Sequence, residues 1–252
     1  MKVRIDKLLV ERGLALSRER AQALVLAGRV LANDQKVEKA GATFEEDVEI
    51  RLLGEDLRYV SRGGIKLEAA LEHWKIDVSG RVCMDVGTST GGFTDCMLQH
   101  GAAEVVAVDT GYGQIAMKLR SDPRVKLLEK TNARYLTREQ LEQAGAGAEI
   151  SFIAADVSFI SVTLVLPALL EAAFARPPKR RRELVVLVKP QFEAGREFIG
   201  KGGIVKDEAA RQNAVARVRQ RVEELGGHGI EVIDSPISGM EGNREFLMHA
   251  EF

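Results

Sequence analysis

The sequence predicts an α/β chain: a mostly parallel sheet with helices on both faces, preceded by a small α+β unit. Three observations carry that prediction. From Lys66 onward, short apolar runs rich in β-branched residues alternate with helical stretches, the pattern of crossover-connected parallel strands. The final two runs, GIEVIDSPI and REFLMHAEF, are joined only by the turn SGMEGN, so the sheet closes with an antiparallel pair. Residues 1–53 instead hold two short helical patterns followed by short alternating strands. A length of 252 residues suits a small domain joined to a medium one.

The front unit begins with a helix through Leu8, Leu9 and Val10 that Asp6 can cap and Gly13 can stop. Ser17 caps a second helix, with Ala21, Leu24 and Val25 at core spacing and Gly28 at its end. RVLAN, a turn at Asn33–Asp34, QKVEKAG and the alternation Val48, Ile50, Leu52 read as strands. LGEDLRYVSRGGI is glycine-rich and charged, which places a linker at 54–63 between a small domain, 1–53, and a larger one, 64–252. In the larger domain a helix through Leu67–Trp74 leads to the strand VCMDVG, the helix FTDCMLQHG and the strand EVVAVD. A helix near Ile115–Leu119, the strands VKLLEKTN and SFIAADVS, and a helix over VTLVLPALLEAAFA follow. LVVLVKP is the next strand, and Asp207–Leu225 is a long amphipathic helix.

Charge and cysteine usage narrow the function class. The formal net charge is −1, so any polyanion footprint must be local. Residues 1–39 carry nine Lys or Arg against five Asp or Glu, whereas residues 40–60 carry two against six. Cys83 and Cys96 form no C-x-x-C pair and have no histidine at ligand spacing, which argues against a disulfide framework or a structural zinc. The charged start MKVRIDKLLVERG lacks the apolar core of a signal peptide. The apolar stretch Val162–Ala175 is broken by Pro167 and Glu171 and is too short to span a bilayer. The expectation is a reduced, cytoplasmic protein.

Asp85-Val-Gly87-Thr-Ser89-Thr-Gly91-Gly92-Phe93 stands where a strand turns into a helix. Glycine there lets backbone pass close to a ligand, and a helix N-terminus offers free N–H groups. The spacing is not the G-x-G-x-x-G of a dinucleotide site. A carboxylate ahead of the turn suits a ligand with a cationic amino-acid tail, as S-adenosylmethionine has. A tight turn needing glycine for packing is the plainer alternative. Asp109 ends the next strand, where a carboxylate can accept both hydroxyls of a cofactor ribose, although an Asp there is as often a cap. Asn132 could bond an adenine edge or simply form a turn.

Four polar residues sit at successive element ends: Lys66, Asp156, Lys189 and Glu245. Parallel strands deliver their C-terminal ends to one rim, so Asp156 and Lys189 should converge beside the cofactor. Each alone reads as a solvated or salt-bridged charge, but a lysine closing the run LVVLV is out of place in a core without a purpose. Methyl transfer to a ribose hydroxyl needs that hydroxyl deprotonated as it attacks. A desolvated amine beside a second amine can serve as base near neutral pH, while neighbouring carboxylates act the other way. Asp156-Val-Ser-Phe also lacks the Pro-Pro-aromatic sequence that base-modifying enzymes use to hold an amino group, which favours the hydroxyl.

Taken together, these segments resemble the TlyA, or hemolysin A, family over essentially the whole chain. The resemblance rests on DKLLVERG, SRERAQALVLAGRV, RYVSRGGIKLEAAL, DVGTSTGGFTDC, ADVSFISV, VKPQFE and GNREFL. It implies an RNA-binding domain of the type named after ribosomal protein S-four, joined to an FtsJ-like domain with the class I (Rossmann-like) methyltransferase fold. It implies 2′-O-methylation of a cytidine in ribosomal RNA by a Lys-Asp-Lys-Glu tetrad, with S-adenosylmethionine as cofactor. Lys66, Asp156, Lys189 and Glu245 match that tetrad, and Glu241 is a nearby competitor for its last place. The starts and stops close to Asp6 and Phe252 resemble members that act on the large subunit alone. Arg4, Lys7, Arg18, Arg20 and Arg29 would contact phosphates, although each could equally be a solvated helix charge. Pro178-Lys-Arg-Arg-Arg182 is a second basic patch, away from the expected rim. Two other function classes compete: a membrane-damaging hemolysin and a catalytically silent rRNA-binding factor.

Overall fold

The computed structural model describes residues 2–15, 17–53, 58–146, 149–174, 180–239 and 242–252. Residues 54–57 of the expected linker, Pro178 and Lys179 of the basic tract, and Glu241 lie outside the described residues. The chain divides into two units, Met1–Leu57 and Arg58–Phe252.

The first unit runs β1 (Lys2–Arg4), α1 (Ile5–Glu11), α2 (Arg18–Leu26), β2 (Val30–Ala32), β3 (Gln35–Lys36), β4 (Thr43–Glu45) and β5 (Ile50–Leu52). β1 pairs antiparallel with β4, and β2 lies antiparallel between β3 and β5. Ile5, Leu8 and Leu9 of α1 pack with Ala21, Leu24 and Val25 of α2 over Val30, Val37 and Val48, so the two short helices are held by packing rather than by length. Ser17 accepts from Arg20 N at 3.2 Å and caps α2 as expected. Asp6 does not cap α1. It lies inside the first turn, fully buried, and its carboxylate accepts from Arg4 at 2.8 Å and from Arg18 and Gln22 at 3.1 Å. Those N–H donors hold its pKa well below the usual carboxylate range: the Arg4 hydrogen bond leads, and burial opposes it.

The second unit runs α3 (Gly63–His73), β6 (Val82–Val86), α4 (Gly92–Gln99), β7 (Glu104–Val108), α5 (Met117–Arg120), β8 (Val125–Leu128), α6 (Arg138–Gln143) and β9 (Ile150–Ala155). It continues α7 (Leu166–Phe174), β10 (Glu183–Val188), α8 (Pro190–Glu193), α9 (Glu208–Glu224), β11 (His228–Asp234) and β12 (Phe246–Glu251). The seven strands are ordered β11-β12-β10-β9-β6-β7-β8, with β12 antiparallel to both neighbours and the run from β10 to β8 parallel. Strand periodicity of two puts Leu184, Val186 and Val188 into one core with α7 and α9. Val185 and Leu187 enter the other, with α3 and α4.

Three details depart from the sequence reading. The single helix expected from Val162 is a 3-10 turn, Val162–Leu164, followed by α7, because Pro167 is accommodated only in a helix's first turn. α6 and α8 carry too few residues to show periodicity, though Thr137 and Gln140 form a capping box on α6. Residues 58–62 fall with the second unit: Tyr59 is buried and donates to Glu68 at 2.8 Å, and Val60 N donates to Asp95 at 2.8 Å.

Candidate active site

Sheet topology brings the four polar element-end residues to one place. Asp156 follows β9 and Lys189 follows β10, so both leave at the C-terminal rim of the parallel strands. β12 runs the opposite way, with Phe246 opposite Val188, so the residue before it, Glu245, starts at that same rim. Lys66 comes from the first turns of α3. All four line one cavity of about 680 Å³. They form two ion pairs: Lys66 Nζ to Glu245 Oε2 at 2.5 Å, and Lys189 Nζ to Asp156 Oδ1 at 2.5 Å. Lys66 and Glu245 are buried, whereas Asp156 retains 22% of its side-chain exposure.

The glycine turn forms the adjoining wall. Gly87, Ser89, Gly92 and Phe93 border the large cavity, and Asp109 and Asn132 border a second one of about 280 Å³. Gly87, Ser89, Asp156, Ser158 and Phe159 line both, so the two cavities adjoin. Gly87 has φ +84°, and a Cβ there would lie 2.3 Å from the carbonyl oxygen of Asp156; only glycine allows β6 and β9 to end this close together. Gly91, at φ +96°, is the left-handed residue from which α4 starts and does not itself line either cavity. Asp109 accepts from Ser89 N and Gly111 N, both at 2.6 Å, which fixes the turn around it. Asn132 accepts from Arg134 N at 3.0 Å, so it is a turn residue that also faces the smaller cavity.

Asp85 borders the large cavity but is almost wholly buried. Its Oδ2 accepts from Thr94 N at 2.9 Å and Thr94 Oγ1 at 2.6 Å, while its buried Oδ1 accepts no hydrogen bond. Burial raises its pKa to about 7 against the opposing pull of Thr94, with the charges of Asp156 and Asp109 adding to the rise. A buried, unpaired acceptor beside a cavity calls for a donor from a ligand. The cationic amino group of a methionine tail would supply one, so this wall fits S-adenosylmethionine.

Residues around this constellation that the sequence did not single out include Ser158, Phe159, Glu193 and Asn243. Ser158 accepts from Lys189 Nζ at 2.7 Å. Phe159, 92% exposed, has φ +64°. The buried carboxylate of Glu193 accepts from Ser161 Oγ at 2.5 Å and Val162 N at 2.7 Å. Asn243 joins Val205 N (3.0 Å) and the carbonyl of Gly203 (2.9 Å) to the segment before Glu245. The only sequence signal was their closeness to Asp156, Lys189 and Glu245.

Of the five cations singled out in the first unit, Arg4 and Arg18 bond Asp6 with about half of each side chain exposed. Lys7 pairs with Glu11 at 3.3 Å, Arg29 donates to the carbonyl of Leu53 at 2.8 Å, and Arg20 lies in the first turn of α2. In the basic tract, Arg181 pairs with Glu251, and buried Arg182 donates to the carbonyl of Phe174 at 3.0 Å. Those two hold β10 and β12 in the fold.

Residues 59–252 match the FtsJ-like methyltransferase family, and residues 3–50 match the S4 domain. The chain is 44% identical over 248 residues to the 16S/23S rRNA (cytidine-2′-O)-methyltransferase TlyA of Mycobacterium tuberculosis, covering 98% of this chain and 89% of that one. It is 30% identical to the 23S rRNA (cytidine-2′-O)-methyltransferase TlyA of Campylobacter jejuni, covering 95% and 96%. A solved structure from Streptococcus thermophilus, described as a hemolysin candidate, superposes with a TM-score of 0.73 at 43% identity, covering 99% of this chain and 88% of that one.

Proposed function

The chain belongs to the TlyA family of FtsJ-like methyltransferases, and from that premise we propose that it transfers a methyl group from S-adenosylmethionine to the 2′-hydroxyl of a cytidine in ribosomal RNA. The observation that carries this reading is the pair of Lys–carboxylate contacts, Lys66–Glu245 and Lys189–Asp156, lining one cavity with the glycine turn. Residues 1–53 are the RNA-binding domain, with Arg4, Lys7, Arg18, Arg20 and Arg29 as phosphate contacts, and residues 58–252 are the catalytic domain. 23S rRNA appears in the names of both TlyA relatives, so the large subunit is the first substrate to test.

Asp85, Gly87, Ser89, Gly92, Phe93, Asp109 and Asn132 would hold the cofactor, with Gly91 shaping the turn behind them. S-adenosylmethionine supplies an electrophilic sulfonium methyl group. When bound, it would give that methyl carbon to the ribose 2′-oxygen with S-adenosylhomocysteine as the leaving group. The hydroxyl proton passes to Lys189 Nζ, and the charge of Asp156 holds that amine in place. Lys66, held by Glu245, stabilises the negative charge developing on the ribose oxygen. The enzyme works in the cytoplasm, where ribosomal subunits are. Among the described residues no helix is long and apolar enough to cross a membrane.

The test is transfer of labelled methyl from S-adenosylmethionine to isolated small and large ribosomal subunits, with Lys189→Ala alongside. Label on a ribose that the variant fails to deliver is the expected result. Cofactor binding without transfer to either subunit would favour the silent RNA-binding factor.

A further inference from the structure

We propose that Ser158 is a fifth polar member of the reaction centre, a positioning residue whose hydroxyl aims the Lys189 amine at the attacking ribose oxygen. The inference rests on the methyltransferase reading above.

Lys189 reaches the cavity at the end of β10 with a flexible side chain, and its amine must point in one direction to take a proton. A lysine amine has tetrahedral geometry and, when charged, three donor positions. Asp156 Oδ1 lies 2.5 Å away as an ion-pair partner in a geometry that makes no hydrogen bond, so it anchors the amine by charge and fixes no donor direction. One contact alone leaves the nitrogen free to turn about the line joining the two atoms. Ser158 Oγ, at 2.7 Å, accepts the hydrogen bond that fixes a donor direction. The charge anchor and this directional bond together set which way the remaining positions of the amine point. Among the described residues, only Asp156 and Ser158 are seen to engage Lys189 Nζ by ion pair or hydrogen bond.

The placement of Ser158 suits that work. It is one of the residues that line both cavities, so it stands where the glycine-turn wall and the Lys189 cavity adjoin. It lies two residues after Asp156, in a segment with no regular structure to fix it. Two features tie that segment down. Phe159 sets its ring against Phe192 of α8, with the centroids 5.5 Å apart. Further on, Ser161 and Val162 are bound by Glu193, from the α8 turn that follows Lys189. A serine serves here where a second carboxylate would not. Its hydroxyl accepts from the amine without adding a further negative charge beside Asp156.

The experiment compares wild type with Ser158→Ala and Ser158→Thr, all as the full-length chain. Single-turnover methyl transfer, S-adenosylhomocysteine affinity and thermal midpoint are measured for each. A second readout needs no activity: mass-spectrometric labelling rates of Lys189 with an amine-acylating reagent, with Lys66 in the same chain as the internal control. The expected result for Ser158→Ala is a transfer rate lower by about tenfold, as for loss of one hydrogen bond to a charged group. Cofactor affinity and midpoint stay unchanged, and Lys189, but not Lys66, labels several-fold faster. Ser158→Thr, which keeps the hydroxyl, recovers most of the rate. Transfer by Ser158→Ala within twofold of wild type, or unchanged labelling of Lys189, overturns the inference and leaves the methyltransferase reading standing. An inactive wild type would overturn that reading and this inference together.

Discussion

At the scale of single residues, chemistry here depends on which polar atoms the fold leaves unpaired. Asp85 was legible in the sequence as the carboxylate ahead of the glycine turn, but its burial was not. Below about pH 4 Asp85 is protonated in both folded and unfolded chains. Between there and about pH 7 the unfolded chain ionises it and the folded chain resists, so the folded state loses stability as pH rises through that window. Asp85→Asn should abolish this part of the slope. Thermal midpoints of the two proteins from pH 4 to pH 7 should converge or cross; parallel curves would reject the account. Lys7 gives a second prediction at this scale. Its exposed pair with Glu11 adds little stability, so Lys7→Ala should leave the fold intact. If Lys7 contacts a phosphate, the variant lowers the slope of log affinity for rRNA against log salt by about 1; an unchanged slope removes it from the interface.

At the scale of elements, adjacent strands bring Asp156 and Lys189 to one rim, but the loops after them must also be held. The short helix α8 does this through Glu193, whose pKa is raised by burial even though Ser161 and Val162 donate to it. Glu193→Ala leaves the Val162 N–H without its acceptor in a buried setting. The expected cost is about 1–3 kcal/mol, seen as a lower urea midpoint with an unchanged slope. Cofactor affinity should fall with it, because residues 156–160 line the smaller cavity. A variant as stable as wild type would show that the two loops are held by other contacts. Nothing in the sequence marks α8, since a single turn opening with Pro190 has no periodicity to detect.

At the scale of the whole molecule, the second unit separates stability from chemistry along its sheet. At the end away from the reaction rim, Arg81 pairs with Glu183 at 2.6 Å, and the same guanidinium donates to Ser151 Oγ at 3.0 Å. Burial alone would raise the pKa of Glu183; hydrogen bonds from His249 and Arg81, with the charges of Arg81 and Arg181, bring it down to about 2 instead. That stability is present above the ordinary glutamate range and is lost as pH falls through about 2. Arg81→Met strands a buried carboxylate, so it should cost about 3–5 kcal/mol and move acid unfolding to higher pH. Cofactor affinity at a temperature where the variant is folded should be unchanged; a marked loss would mean that the two ends of the sheet are coupled.

The sequence by itself determined the class of fold, the order of most elements and the residue types available for chemistry. Those depend on local patterns: apolar runs of period two, a glycine turn between strand and helix, and polar residues closing strands. Tertiary structure alone decided the partners. That Lys66 meets Glu245 across 179 residues, that Ser158 rather than a neighbour takes Lys189, and that Asp6 gathers Arg18 and Gln22 instead of capping a helix all depend on chain segments that are not neighbours in sequence. Side-chain hydrogen bonds form over a few ångströms, and only the packed sheet and helices bring such atoms within that reach.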